Sequence, residues 1–309
     1  MNTDTDNASS MDDNSLIACA SAIDTQGASR SRPIVTMGWH PDVPDFRDLT
    51  LEQSTIKDTL EKVNSNILKS TNLPSKADNR KYCSPIENQK SLGSCTAQSI
   101  VGLMEYMMRR GTNTHIDGSR LFVYKVTRRL MGTTDDSGAY LRTTMQAVSL
   151  FGVPPERHCP YIIENYNDEP SAFLYSYASN YQSLKYTRLD SNGASQTEIL
   201  NLIKRVIAAG YCIVFGFSVY SSLGNAADIP FPTNADILRG GHAVMIVGFD
   251  DNHKINGKTI PSLIIRNSWG TRWGEGGYGY LPYDYVLSGL ARDFWTCFKW
   301  EWISEKQFN

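Results

Sequence analysis

The sequence predicts an α+β fold, in which a mainly helical half precedes a strand-rich half and the two enclose a cleft. Two observations carry this. Between residues 95 and 110 the apolar side chains Ile100, Val101, Leu103, Met104, Met107 and Met108 recur at helical spacing along one wide face. Beyond about residue 185 the apolar runs become short, β-branched and aromatic, as at 213–220, 243–249 and 262–266. A chain of 309 residues is long enough for a sizeable core, and it contains no internal repeat.

Residues 1–36 are rich in Asp, Asn, Ser and Thr and read as a disordered polar tail. A segment over 37–72 follows. It opens with Gly38-Trp39-His40-Pro41-Asp42-Val43-Pro44-Asp45-Phe46-Arg47-Asp48, whose prolines and aromatics suit an extended stretch docked on a surface. An amphipathic helix is expected over 51–70, with Ile56, Leu60, Val63, Ile67 and Leu68 on one side and Pro74 beyond its end. The main domain is expected over 73–309, divided into a helical lobe at 73–185 and a β-rich lobe at 186–309. In the first lobe the helix from Cys95 is expected to stop at Gly111, with Arg109 and Arg110 suiting the negative end of its dipole. Further helices are expected over 119–130 and 139–151, the second closed by Gly152 and Pro154-Pro155. The second lobe should hold a helix over 196–209 and an antiparallel sheet built from 213–220, 243–249, 262–266, 277–281 and 298–302. Asn256-Gly257 supplies a turn signal between two of these strands.

A net charge of −2 gives no reason to expect nucleic acid or an anionic membrane as partner. No apolar run approaches the roughly 18 residues of a membrane span. The start of the chain lacks the basic residues and long apolar stretch of a secretory leader, so the expected location is the cytoplasm, or the exterior by a route without a cleaved signal. Cysteines stand at 19, 83, 95, 159, 212 and 297, and nothing in their pattern demands disulfides. His40, His115, His158 and His253 have no spacing that suggests a metal site, and the glycines at 274–279 match no phosphate-binding loop. No cofactor is expected.

The chemistry concentrates elsewhere. Cys95 stands at a predicted helix N-terminus, where free amides and the dipole favour a thiolate, although a free cysteine is more often a small buried hydrophobe. His242 follows Gly240-Gly241 at the start of one strand, and Asn267 ends the next. Adjacent strand ends bring such a pair together, and a cysteine in front of the imidazole completes a Cys-His-Asn triad. His242 lies about 147 residues after Cys95, within the roughly 130–150 of one well-known thiol-enzyme pattern, while Asn267 lies about 172 after it.

The chain resembles the papain family of cysteine peptidases. The resemblance spans about residues 73–309 and rests on Gln89, Gly93-Ser94-Cys95, Ser137-Gly138, the stretch from Gly152 to Pro160-Tyr161, Gly241-His242-Ala243-Val244, Asn267-Ser268-Trp269-Gly270 and Trp273-Gly274-Glu275-Gly276-Gly277-Tyr278. It implies a two-lobed fold and a thiol endopeptidase acting on peptides or proteins. Cys95 would be the nucleophile, His242 the acid and base, Asn267 the residue that orients the imidazole, and Gln89 a donor to the oxyanion. Gly138, with Ser137 and Gly241, would line the substrate, and Trp269 would cover the His–Asn pair. Leu92 and Thr96 depart from the usual Cys-Gly-Ser-Cys-Trp signature. The missing cysteine removes a disulfide that secreted relatives carry, and the Gly-Ser-Cys-Thr-Ala form is similar to bacterial members. No long helical pro-region is visible, and residues 37–48 either block the cleft as an inhibitory strap or clamp the back of the domain. The competing functions are acyl transfer by the same triad and a catalytically silent binding module.

Overall fold

The computed structural model describes residues 36–50, 53 and 72–300, apart from the side chains of 183–184 and 298–300. The tail before Thr36, the helix expected over 51–70, Cys19 and the end of the last expected strand lie outside the described residues.

The order begins with β1 (Trp39–His40), β2 (Lys76–Asp78), α1 (Cys95–Thr112), α2 (Arg120–Met131), β3 (Ala139–Tyr140), α3 (Leu141–Phe151) and α4 (Ala172–Ala178). It continues with β4 (Ser183–Arg188), α5 (Gln196–Ala208), β5 (Ile213–Tyr220), β6 (Leu238–Asp250), β7 (Lys254–Ile255), β8 (Lys258–Thr259), β9 (Ser262–Arg266), β10 (Tyr278–Pro282), α6 (Asp284–Leu287) and β11 (Ala291–Trp300). The principal sheet runs β10-β9-β6-β5-β11-β4, with β2 added beside β6, and all its pairs are antiparallel.

Local chemistry explains the helix boundaries. Ser119 caps α2 by accepting from Phe122 N at 3.1 Å. Ser195 and Glu198 form a reciprocal capping box at the start of α5. α1 continues through Gly111, contrary to expectation, and stops where Asn113 takes the left-handed conformation (φ 56°) and donates its N–H to Arg109 O. An asparagine tolerates that conformation, so it supplies the C-terminal turn in place of the glycine. Residues 139 and 140 also depart from expectation. They form β3 instead of helix, because the Ala139 N–H is drawn to Gly38 O at 2.8 Å. The last strand starts at Ala291, earlier than expected, and β6 starts at Leu238.

β6 joins two cores. Its residues Ala243, Met245 and Val247 pack with α1 and the helices around it, whereas Val244, Ile246 and Phe249 face the core that includes Ile199, Ile203 and Val206 of α5. The two-residue alternation of a strand buried on both faces divides 243–247 in this way, and the register shift between Ile246 and Gly248 carries Phe249 to the second side. α1 is enclosed on nearly every side, burying the polar Thr96, Gln98 and Glu105 as well as its apolar face. Its N-terminal end therefore sits against the sheet, which fixes where Cys95 lies.

Candidate active site

The chain enters α1 through a tight turn at Gln89–Leu92, closed by Leu92 N donating to Gln89 O at 3.2 Å, with Lys90 at φ 54°. Cys95 is the first residue of the helix and is fully buried. The thiol is approached by backbone N–H groups of Ala243, Gly38 and Thr96 and by its own. Ala243 is the neighbour of His242 in β6, so helix N-terminus and histidine meet at the centre of the sheet.

His242 is also fully buried. Its Nε2 lies 2.8 Å from Asn267 Oδ1, and that carboxamide oxygen also accepts from Ser268 N at 2.7 Å. An acceptor at Nε2 selects the tautomer with hydrogen there, leaving Nδ1 with its lone pair. Nδ1 has no hydrogen-bond partner among the described residues. Trp269 stacks on the imidazole with centroids 4.6 Å apart, and Phe217 meets it edge-on at 5.9 Å. Trp269 thus covers one face of the imidazole.

Gln89 donates from Nε2 to Thr36 O at 3.1 Å and to Leu92 O at 3.0 Å. Two residues that the sequence reading missed hold it. The Ser268 hydroxyl donates to Gln89 Oε1 at 2.7 Å, and the Tyr161 hydroxyl donates to Gln89 O at 3.0 Å while sharing a 2.6 Å contact with Ser94 Oγ. Both lie in motifs already singled out, Asn-Ser-Trp-Gly and Pro-Tyr, so their position was visible but their duty was not.

Residues 36–40 run across this site. The Gly38 N–H faces the Cys95 thiol and its carbonyl accepts from Ala139 N. A Cβ on Gly38 would stand 1.9 Å from Gly93 O, and one on Gly138 (φ +88°) would stand 2.4 Å from Gly38 O, so the strap fits because three glycines meet. His40 Nε2 lies 2.5 Å from Ser137 O, and Trp39 covers Gly241. Gly138, Ser137 and Gly241 therefore all touch residues 38–40.

Farther along, Arg142 pairs with Asp42 and with Asp48, the latter through Nε and Nη2 at 2.7 and 2.8 Å, and also donates to Val43 O. Arg188 donates to Asp42 O at 2.9 Å, and its backbone N–H reaches Leu49 O.

Burial reverses one expectation. With the strap in place, desolvation pushes the Cys95 thiol up to about 11, outweighing the surrounding N–H groups that favour its anion. Desolvation likewise pushes His242 down to about 4, against the opposing contact with Asn267. Both groups are neutral at pH 7 in this arrangement. No group of His, Cys, Asp and Glu suited to a metal ion occurs among the described residues, and no described helix is long and apolar enough to cross a membrane.

A mixed fold with a cysteine at a helix N-terminus beside the strand that carries a histidine, and an asparagine just past the end of the next strand on that histidine, fits the class of thiol hydrolases. The model of the papain family cysteine protease matches residues 73–293, and the chain belongs to that family as a papain-like cysteine peptidase. It is 33% identical over 290 residues to an uncharacterised peptidase C1-like protein of Acanthamoeba polyphaga mimivirus, covering 88% of each chain. It is 28% identical over 214 residues to papain of Carica papaya, covering 67% of this chain and 54% of that one. Among solved structures it is similar to xylellain, a cysteine protease from Xylella fastidiosa, with TM-score 0.69, 31% identity and coverage of 90% of this chain and 100% of that one.

Proposed function

We propose that the chain is an endopeptidase working through Cys95, His242 and Asn267, made in a form that its own residues 36–48 hold inactive. The observation that carries the reading is double occupancy. The same segment that places the Gly38 N–H on the thiol also places the Thr36 carbonyl on the Gln89 amide. Those are the two positions a reacting peptide needs, one at the nucleophile and one at the oxyanion donor.

Once the strap leaves, water reaches the cleft and the desolvation holding both groups neutral is relieved. The proton then passes from Cys95 Sγ to His242 Nδ1, while Asn267 Oδ1 holds the ring through Nε2–H. The thiolate adds to the scissile carbonyl, forming a C–S bond as the π electrons move to oxygen. Gln89 Nε2 and the Cys95 N–H stabilise that oxyanion. Its collapse expels the amine, which takes the proton from Nδ1, and leaves a thioester. His242 next takes a proton from water. The hydroxide releases the acyl group as a carboxylic acid, and the thiol is restored.

The test is alkylation of Cys95 by a thiol-directed peptidase inhibitor in the full chain and in full-length Gly38→Val and Arg142→Met variants, with Cys95→Ala as control. Faster labelling at Cys95 in both variants, together with peptide turnover, supports the reading. Equal labelling in all three overturns the inhibitory strap. Labelling without turnover overturns the peptidase chemistry, and trapping of the acyl group by an added amine in preference to water identifies an acyltransferase.

A further inference from the structure

Trp39 does more than cover the cleft. It is 5% exposed and lies in a slot made by the absence of side chains. A Cβ on Gly216 would stand 1.9 Å from indole Cε2, and one on Gly241 would stand 2.6 Å from Cε3. At the end of the slot the indole Nε1–H donates to Asp293 Oδ2 at 3.1 Å.

Asp293 is supplied and held by the enzyme, not by the strap. It follows Arg292, the register partner of Gly216, and the β5–β11 register shifts between Arg292 and Trp295. At that irregularity Asp293 takes φ 65°, a left-handed conformation that few non-glycine residues adopt. Its N–H donates to Asp190 Oδ2 at 2.8 Å, its Oδ1 accepts from Trp295 Nε1 at 2.7 Å, and Arg188 Nη1 stands 3.3 Å from Oδ1. With Oδ1 committed to these neighbours, Oδ2 is the oxygen turned to the indole.

We propose that this slot takes a substrate side chain and that it selects tryptophan, a flat side chain carrying a neutral N–H, with Trp39 as the intramolecular occupant. This rests on the peptidase reading above and names the substrate class of the same site. Two features favour tryptophan over other large side chains. Phenylalanine fills the slot but leaves the buried Oδ2 without its donor, which is costly inside a protein. Arginine brings a second guanidinium to a carboxylate that Arg188 already neutralises, and Arg142 stands beyond it, each within 6 Å of the Trp295 ring.

The experiment uses the full chain carrying Gly38→Val and Trp39→Ala together, the first to lift the strap from Cys95 and the second to empty the slot. Turnover is measured on a peptide library varied one position at a time with Trp, Phe, Tyr, Leu, Val and Arg. In parallel, acetyl-Xaa-glycinamides are tested for protection of Cys95 from alkylation, with Xaa as Trp, Phe, Arg or 3-benzothienylalanine, the last having sulfur in place of the indole N–H. At one position kcat/KM for Trp should exceed that for Phe by about tenfold, the size of one buried hydrogen bond. Benzothienylalanine should protect about tenfold less well than Trp. Adding Asp293→Asn should shrink both ratios, and adding Gly216→Val should lower the Trp-to-Val selectivity.

Turnover with no Trp preference, or with Arg preferred, overturns the pocket proposal while the peptidase reading stands. Protection by Trp through its N–H without turnover of any peptide upholds the pocket and overturns the peptidase reading. Equal protection by Trp and benzothienylalanine overturns the role of Asp293.

Discussion

Residues that touch Gln89 show how much of an active site lies outside its named members. Ser268 donates to the Gln89 side-chain oxygen and thereby turns the amide nitrogen toward the cleft. On the proposed mechanism Gln89→Ala removes the oxyanion donor and is expected to lower kcat by about 10²–10³. Ser268→Ala removes one positioning hydrogen bond, worth about 1 kcal/mol. The expected result is a kcat lower by roughly five- to tenfold with KM little changed, read from steady-state kinetics on one peptide. A KM rise at constant kcat would assign Ser268 to substrate binding instead. At the same scale Gly38→Val tests the strap. The new side chain has no room beside Gly93 O, so Cys95 alkylation should accelerate while thermal stability of the domain changes little. A slower reaction would mean that the strap does not shield the thiol.

The strap as an element is held by charge at one end and by the buried site at the other, and the two respond to pH differently. His242 is lowered from its ordinary value near 6.5 to about 4 while the strap covers it. The covered state therefore binds fewer protons there than an open one. Its stability is fully present above about 6.5 and is lost as pH falls from 6.5 toward 4. Asp293 acts with the opposite sign, since burial raises it from 3.8 to about 7 and the stability tied to its proton is lost as pH rises through 7. Arg188, Asp190 and Trp295 stay around Asp293 after the strap departs, so much of its shift persists and His242 decides the direction. Protection of the Gly38 and Ala139 amides, corrected for intrinsic exchange, should fall by roughly tenfold between pH 7 and pH 5. Protection that rises on acidification would transfer control to Asp293. At the other end, Arg142→Met leaves the carboxylates of Asp42 and Asp48 short of their main cation. The loss of one partner from such a nearly buried pair costs about 3–5 kcal/mol, enough to release the strap at neutral pH.

At the scale of the whole molecule, what the sequence made legible followed from periodicity and from motifs. The helix from Cys95, the strands around His242 and Asn267, and the Asn256-Gly257 turn all rest on local patterns that the fold leaves intact. The misreadings came from long-range partners. Ala139 and Tyr140 are strand because Trp39 and His40, a hundred residues away in sequence, offer a backbone to pair with. Cys95 carries a raised thiol pKa because another segment buries it, which no helix-end argument could include. Ser268 and Asp293 acquire their duties only when distant strands meet. The same long-range strand predicts how the domain fails. Met245 and Ile246 are adjacent in β6, fully buried, and belong to different cores. If the lobes were independent, Met245→Ala would weaken the helical side alone and Ile246→Ala the side of α5 alone. Because one strand carries both, each substitution is expected to cost about 2–5 kcal/mol and to lower the midpoint of a single transition. Denaturant unfolding followed both by fluorescence of the buried tryptophans and by far-ultraviolet circular dichroism should give coincident curves in both variants. Separated curves in either variant would show that β6 does not couple the lobes, and the cleft between them would then lack a common scaffold.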